Sequence, residues 1–148
     1  MELTLADKNV NKFDFEHETR NIPRRYLDFV YLTRMTLIVK RFEKGEEPFT
    51  ADKLSEEYKI PTRLTSDILF RLNQVGLITE TSGEKPLMPA YMPALDINQI
   101  TVTSFFETLD LHGSEDFVID KSRRFKPEWE TILRIRQVAR EAESTVLL

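Results

Sequence analysis

The chain has 148 residues, of which 41% are hydrophobic and 31% charged, a composition typical of one soluble globular domain with terminal extensions. Because it contains no cysteine, disulfides, thiolate nucleophiles and cysteine ligands for zinc or an iron–sulfur cluster are excluded. The net charge of −4 provides no general attraction for nucleic acid.

The charges are distributed unevenly along the chain. Residues 23–44 carry six basic and two acidic side chains, and residues 121–140 carry seven and two, whereas residues 77–120 carry one and eight. We expect the basic segments to pair with the acidic one within the protein. An anionic membrane surface is the alternative partner for the basic segments.

Residues 1–22 are polar and are predicted to form an arm or linker with a short extended piece. Pro23 suits the first turn of a helix, and Gly45 suits its C-terminal cap. Between them, apolar residues recur on almost every side of a helix over residues 26–42, so we expect it to be covered on two faces.

Two further helices follow, separated by a tight turn. Thr50 is a suitable N-cap for a short helix over residues 51–58, and the turn at residues 59–61 contains a proline that ends it. The next helix spans residues 62–75, with Thr62 as its predicted N-cap. Its apolar positions are spaced by four, four and three residues: Leu64, Ile68, Leu72 and Val75.

A β-hairpin comes next. Gly76 ends the helix, and residues 77–81 alternate in polarity as a strand does. Residues 82–86 suit a turn, and residues 87–92 return as the second strand, which Pro89 and Pro93 should confine to a sheet edge.

This order of elements predicts a mainly α fold with a small β-hairpin, namely a winged helix-turn-helix with an N-terminal arm and a long C-terminal helix. A post-wing helix capped by Thr101 or Thr103 and a terminal helix over residues 127–146 complete it. The predicted segments are the arm or linker, the winged-helix core with its post-wing helix, and a loop with a C-terminal helix packed on the core: 1–22, 23–111 and 112–148. One shared core should contain seven apolar residues: Phe42, Leu54, Leu64, Ile68, Leu72, Ile78 and Phe105.

The helix over residues 62–75 occupies the position of a recognition helix, and its outward face is the candidate interaction surface: Arg63, Ser66, Phe70, Asn73 and Gln74. Arg63 and Asn73 suit base recognition, but Phe70 lies at the centre of this face and the helix has a net charge of only +1. We therefore interpret the face as a protein contact and expect Phe70 to be buried, under the arm, under the terminal helix or in a dimer interface. A helix that faces a DNA groove is the alternative.

The terminal helix carries an apolar stripe with alternating three- and four-residue spacing: Ile132, Ile135, Ala139, Ala142 and Val146. The stripe covers about two heptads, fewer than the three or four that indicate a coiled coil. It is interpreted either as a surface that packs on the domain itself or as the seam of a homodimer.

No constellation of residues for catalysis is visible. His17 and His112 lack metal-ligand spacing to acidic residues, and Glu115-Asp116 follows a Gly-Ser turn that suits a loop anchor. The four glycines include no phosphate-binding loop. The sequence therefore predicts no enzymatic activity, no metal site and no cofactor.

Several short stretches of the chain resemble a known family: FEHETRNI (15–22), RYLDF (25–29), VKRFE (39–43), IPTRLT (60–65), LDINQ (95–99), GSEDF (113–117) and ID (119–120). Together they resemble the cytoplasmic C-terminal domain of YihY/BrkB-type bacterial inner-membrane proteins, historically labelled ribonuclease BN. The arrangement is also similar to winged-helix repressors that hold an iron–sulfur cluster through cysteines, which this chain lacks.

The YihY/BrkB resemblance implies a non-catalytic regulatory or interaction domain at the cytoplasmic face of the inner membrane. Its implied partner is the transmembrane part of its own parent protein, with a second copy of the chain or an anionic membrane surface as further candidates. Nucleic acid is not an expected partner in this interpretation. The alternative is a soluble winged-helix DNA-binding transcription regulator.

Overall fold

The computed structural model describes residues 21–83, 88–142 and 146–148. The chain divides into two units, Met1–Leu95 and Asp96–Leu148. The post-wing helix belongs to the second of these units. The segment boundaries predicted after residues 22 and 111 stay predictions.

The described part of the first unit contains three helices, α1 (Arg24–Glu43), α2 (Ala51–Tyr58) and α3 (Thr62–Gln74). Local chemistry sets their ends. The carbonyl oxygen of Pro23 accepts bonds from the first turn of α1, and Gly45 ends that helix in the left-handed region with φ 68°. The hydroxyl of Thr50 accepts a bond from the backbone N–H of Lys53, which caps α2 as predicted.

The short connection between α2 and α3 reverses the chain. Lys59 adopts the left-handed region with φ 49°, an uncommon conformation for a residue other than glycine. Pro61 then occupies the N-cap position of α3, and no side chain caps this helix. The prediction that Thr62 is the N-cap is therefore wrong by one residue, because Pro61 stays extended and Thr62 already has helical geometry.

The sheet of the first unit has three antiparallel strands, β1 (Phe49–Thr50), β2 (Ile78–Ser82) and β3 (Pro89–Pro93), in the order β1-β3-β2. The sequence predicted the β2–β3 hairpin but not the short strand β1. It also placed β3 at an edge, which is wrong, because β1 pairs with Ala90 and Tyr91 on its other side. The prolines are accommodated as the first and last residues of β3, beyond the two positions that β1 pairs with.

The core of the first unit lies under α1, α3 and the sheet. Its fully buried apolar residues include Met35, Ile38, Leu54, Ile68, Leu69, Leu72, Leu77 and Ile78. Two of the predicted core residues differ: Phe42 is 46% exposed, and Leu64 is half-buried. On α3 the buried face includes Thr65 and Leu69 beside the predicted Ile68 and Leu72, so its centre is rotated by about 55° from the predicted line.

The second unit contains two helices, α4 (Val102–Leu111) and α5 (Lys126–Ala142). Thr101 and Ser104 form a reciprocal capping box at the start of α4, as Thr101 was predicted to do. The chain end returns to this point, where the backbone N–H of Val102 donates to the carbonyl of Val146 at 2.8 Å. Phe105 on α4 is fully buried.

Polar contacts join α5 to α4 within the second unit. Arg136 pairs with Asp110 at 3.2 Å, and Arg140 pairs with Glu107 at 3.7 Å. The predicted pairing of segment 121–140 with segment 77–120 is confirmed for these two pairs. In the basic segment 23–44, by contrast, Lys40 and Arg41 pair with Glu43 and Glu46 close by in the sequence.

Candidate functional site

The helix-turn-helix of the first unit is formed by α2 and α3, which contact each other. The α3 side chains that fix its rotation are spaced by three, one and three residues: Thr65, Ile68, Leu69 and Leu72. With about 100° per residue, the middle of the opposite face falls close to Arg63 and Gln74, with Phe70 about 30° to one side. The structure therefore turns one defined face of α3 to solvent.

All five residues of the predicted interaction face lie on this exposed side of α3: Arg63, Ser66, Phe70, Asn73 and Gln74. Phe70 itself is 68% exposed. Nothing in the described part of the first unit covers Phe70, and its burial under the arm, the terminal helix or a second copy stays a prediction. Phe70 points outward because the four buried residues of α3 centre on the opposite side of the helix.

Charged groups flank this face. Asp67 is exposed, and the guanidinium of Arg71 donates to the side-chain oxygen of Gln74 at 3.3 Å. Tyr31 of α1 lies close enough to sense both charges. Burial raises the pKa of Tyr31, while Arg71 opposes this effect and Asp67 adds to it. Arg63 lies in the exposed first turn of α3.

The wing is the β2–β3 hairpin. Its turn, residues 84–87 with Lys85, lies outside the described residues. Along the described strands, Thr79, Glu80 and Ser82 are exposed on β2. Tyr91 lies opposite Glu80, and burial together with this carboxylate raises the pKa of Tyr91. The strands therefore present hydroxyl groups and one carboxylate.

The predicted apolar stripe of the terminal helix is exposed. Over its described length α5 has no buried residue, and Ile135 is 58% exposed. Ile132, Ala139 and Ala142 are also exposed. Val146 is exposed as well but lies beyond the end of α5. Whether the stripe packs on another surface or forms a dimer seam stays a prediction.

The residues considered for catalysis form a loop anchor. The hydroxyl of Ser114 donates to a carboxylate oxygen of Asp116 at 2.9 Å, and Glu115 pairs with Lys121 at 3.4 Å. Within the described ranges, no group of three or more histidine, aspartate or glutamate residues could hold a metal ion. His17 lies outside the described residues.

Comparison with known proteins identifies the fold. No family model and no curated protein matches the chain. Among solved structures, CymR of B. subtilis, the global cysteine regulator, aligns with a TM-score of 0.55 and 19% identity, covering 86% of this chain and 92% of CymR. IscR of T. potens aligns with a TM-score of 0.58 and 17% identity over 87% and 85% of the two chains.

A third similar structure, CymR of Staphylococcus aureus, has a TM-score of 0.55 and 17% identity, and covers 82% of this chain and 91% of that one. These similarities confirm the predicted winged-helix fold. CymR and IscR are transcription regulators, which are not enzymes.

The resemblance to YihY/BrkB-type membrane proteins is wrong, because the structures that share this fold are transcription regulators. Three of the seven motifs that suggested it lie in α1 and at the entry to α3, where helix and turn formation constrain many unrelated sequences. Among the helices of the described ranges, none combines the length and apolar character needed to cross a bilayer.

The conclusions that rested on that resemblance are corrected with it. The first was that the chain is a regulatory domain of an inner-membrane protein, and the second was that it lies at the cytoplasmic face of the membrane. The third was that nucleic acid is not among its partners. The alternative interpretation, a DNA-binding regulator, agrees better with the structures of the same fold.

Proposed function

We propose that this chain is a sequence-specific DNA-binding transcription regulator. In this proposal α3 enters the major groove, and the β2–β3 hairpin is the wing beside it. The observation that carries the proposal is the exposed outward face of α3, which presents polar side chains on a helix whose other face packs into the core. The proposed function requires no catalytic step.

The chemistry of the α3 face suits the edges of base pairs. Arg63 can donate two parallel hydrogen bonds to guanine, and Asn73 can bond adenine in a similar bidentate way. Phe70, which the described residues of the first unit leave exposed, supplies an apolar contact of the kind that recognises the methyl group of thymine. An exposed aromatic residue near the centre of this face is therefore compatible with a groove, contrary to our interpretation from sequence.

The exposed stripe of α5 supports a dimer in this function. Helix-turn-helix regulators bind two half-sites separated by about one helical turn of DNA, which requires two copies of the reading helix. The face of α5 that carries Ile132, Ile135 and Ala139 is apolar and exposed, as an interface between identical helices would be before assembly. We propose that a second copy of the chain covers this stripe, and that residues 112–148 form the dimerisation segment.

The low positive charge of α3 makes a specific prediction about salt. With Arg63 assigned to a base, the first turn of α3 offers only the helix N-terminus to phosphates. Because each neutralised phosphate contributes about −0.9 to the slope of log affinity against log salt concentration, few contacts per protomer produce a shallow slope. We therefore expect base contacts to account for a large share of the affinity.

Selection of bound fragments from random duplex DNA by the purified chain tests this proposal, followed by fluorescence anisotropy on the selected site. Arg63→Ala should weaken binding about 5- to 150-fold and relax the preference at one base pair, as expected for the loss of a bidentate contact. Arg123→Ala removes an exposed arginine from the second unit and serves as the matched control. Failure to enrich any sequence, or equal losses in both variants, would refute specific readout by α3.

A further inference from the structure

The second unit contains a cavity between the loop that follows α4 and the first turns of α5, with a volume of about 420 Å³. This volume lies within the range of small-molecule sites in proteins. Its walls are predominantly apolar and aromatic, formed by Phe117, Ile119, Phe125, Trp129 and Ile132. These residues form no recognisable motif in the sequence. The run of apolar side chains at 117–119 in an otherwise polar loop is the one feature that could have indicated a binding surface.

The charged side chains of the cavity differ in whether they already have a partner in the protein. The ammonium of Lys121 lies 4.9 Å from the centre of the Trp129 ring and 3.4 Å from the carboxylate of Glu115. Glu128 also lines the cavity, and among the described residues its carboxylate has no ion pair or hydrogen bond. The cavity thus contains one cation that is already paired and one carboxylate that is not.

We propose that this cavity binds an amphipathic organic cation, that is, an aromatic or alkyl body with an ammonium head group. The apolar walls would cover the body, while the head group would lie over the Trp129 ring and beside Glu115 and Glu128. Lys121 occupies such a position itself, which shows that the ring and the Glu115 carboxylate together accommodate an ammonium group. An anionic ligand would instead meet two carboxylates and a lysine that is already neutralised.

Fluorescence of the protein reports on this cavity directly, because Trp129 is the only tryptophan in the chain. Three probes that share one skeleton isolate the charge: 4-phenylbutylammonium, 4-phenylbutanol and 4-phenylbutanoate. We expect the cation to change the Trp129 emission in a saturable way and to bind about tenfold more tightly than the alcohol, as a cation–π contact and a carboxylate partner imply. The carboxylate probe should bind most weakly.

Variants of neighbouring residues test the location. Ile119→Ala should weaken binding of the cation, whereas Val118→Ala, at a fully exposed position next to it in the same loop, should not. Glu128→Gln should weaken the cation about tenfold but leave the alcohol unchanged. Lys121→Ala should strengthen binding of the cation several-fold, because the competing ammonium is removed.

Several results would overturn the proposal: no saturable change with any probe, tighter binding of the carboxylate probe, or weaker binding of the cation in the Lys121→Ala variant. A decline in cation affinity as the protein concentration rises would show that a second copy occupies the cavity, and would also refute it. These measurements use no DNA, so their outcome is separate from that of DNA recognition by α3. Ile132 is shared with the proposed dimer stripe, so the binding measurements are made at a protein concentration at which ultracentrifugation shows a monomer.

Discussion

Helices α3 and α5 have comparable amphipathic patterns but opposite environments. In α3 the apolar positions are covered, with Ile68, Leu69 and Leu72 almost completely inaccessible to solvent. In α5 the apolar positions are exposed, and its contacts with α4 include the arginine pairs at positions 136 and 140. The periodicity of a sequence thus indicates that a helix has an apolar face, but the tertiary structure determines whether the same chain covers it.

The difference has a physical consequence for the two units. Burial of a large apolar side chain contributes about 1.5–3 kcal/mol, so the α3 face contributes directly to the stability of the first unit. The α5 stripe contributes nothing comparable while it is exposed. We expect its contribution to appear only on association, as in obligate or regulated dimers.

The largest expected effect concerns the same substitution made on both helices. Ile68→Ala should lower the free energy of unfolding by about 2–5 kcal/mol, because the site is fully buried, and this loss should not depend on protein concentration. Ile135→Ala is the matched change on α5. If a second copy covers α5, its cost should appear as weaker association, in a stability that varies with protein concentration.

Chemical denaturation at several protein concentrations, together with analytical ultracentrifugation, measures both quantities. The comparison between the helices fails if Ile68→Ala costs less than about 1 kcal/mol, since such truncations usually cost more. The dimer proposal fails if the wild-type chain is monomeric at high concentration and Ile135→Ala changes nothing.

A smaller effect is expected from a charge that the first unit encloses. Arg34 on α1 is fully buried, and within the described residues its three guanidinium nitrogens have no hydrogen-bond partner. Its guanidinium lies 5.6 Å from the centre of the Tyr58 ring, and burial lowers the pKa of Arg34. Since an unsatisfied buried polar group costs about 1–3 kcal/mol, Arg34→Met should raise the free energy of unfolding by a similar amount.

Arg41 on the same helix is the control for this change. Its guanidinium lies 4.0 Å from the centre of the Phe49 ring and pairs with Glu46 at 3.7 Å. Arg41→Met should therefore lower stability by about 0.5–1 kcal/mol, the opposite sign. Thermal unfolding of the two variants decides the matter. A clear loss of stability in Arg34→Met would mean that the buried guanidinium has a favourable role that its contacts do not reveal.

The smallest expected effect is a pH dependence at the contact between α1 and α3. Burial, the main cause, raises the pKa of Tyr31 above its ordinary value near 10, so the folded state retains a proton that the unfolded state releases. The corresponding stability is complete below about pH 10 and is lost as the pH rises towards the folded-state pKa. Tyr31→Phe should therefore reduce the decline of unfolding free energy in alkaline solution.

Denaturant titrations at neutral and alkaline pH test this expectation, and tyrosinate absorbance follows the ionisation itself. Tyr91→Phe should act in the same direction, because burial also raises the pKa of Tyr91. Identical alkaline slopes in the wild-type and Tyr31→Phe chains would contradict the assignment.

Much of the fold could be predicted because its signals are local. Glycine at positions 45 and 76 ends two helices in the left-handed region, and threonine at positions 50 and 101 caps two others. Each signal acts within about one helical turn, so the residue and its neighbours are sufficient to define the structure. The order of elements and the winged-helix fold follow from these signals.

The candidate site was predicted only in part. The outward face of α3 follows from helical periodicity, so Arg63 and Asn73 could be placed on it in advance. The exposure of Phe70 could not be predicted, because aromatic residues are usually covered and the covering surface would be distant in sequence. The cavity around Trp129 was also not predicted, because its walls come from an irregular loop and a helix, and no periodicity of the sequence relates the two.

Local chemistry therefore established where the helices and the hairpin begin and end, while long-range packing determined what each face meets. The addition of β1 beside β3, the rotation of α3 onto Leu69 and the exposure of the α5 stripe all depend on the surfaces that the folded chain brings together. Burial energy is non-directional and depends on the area removed from water. A helical pattern alone therefore cannot specify which surface covers the apolar face of the helix. Only the three-dimensional arrangement of the elements does so.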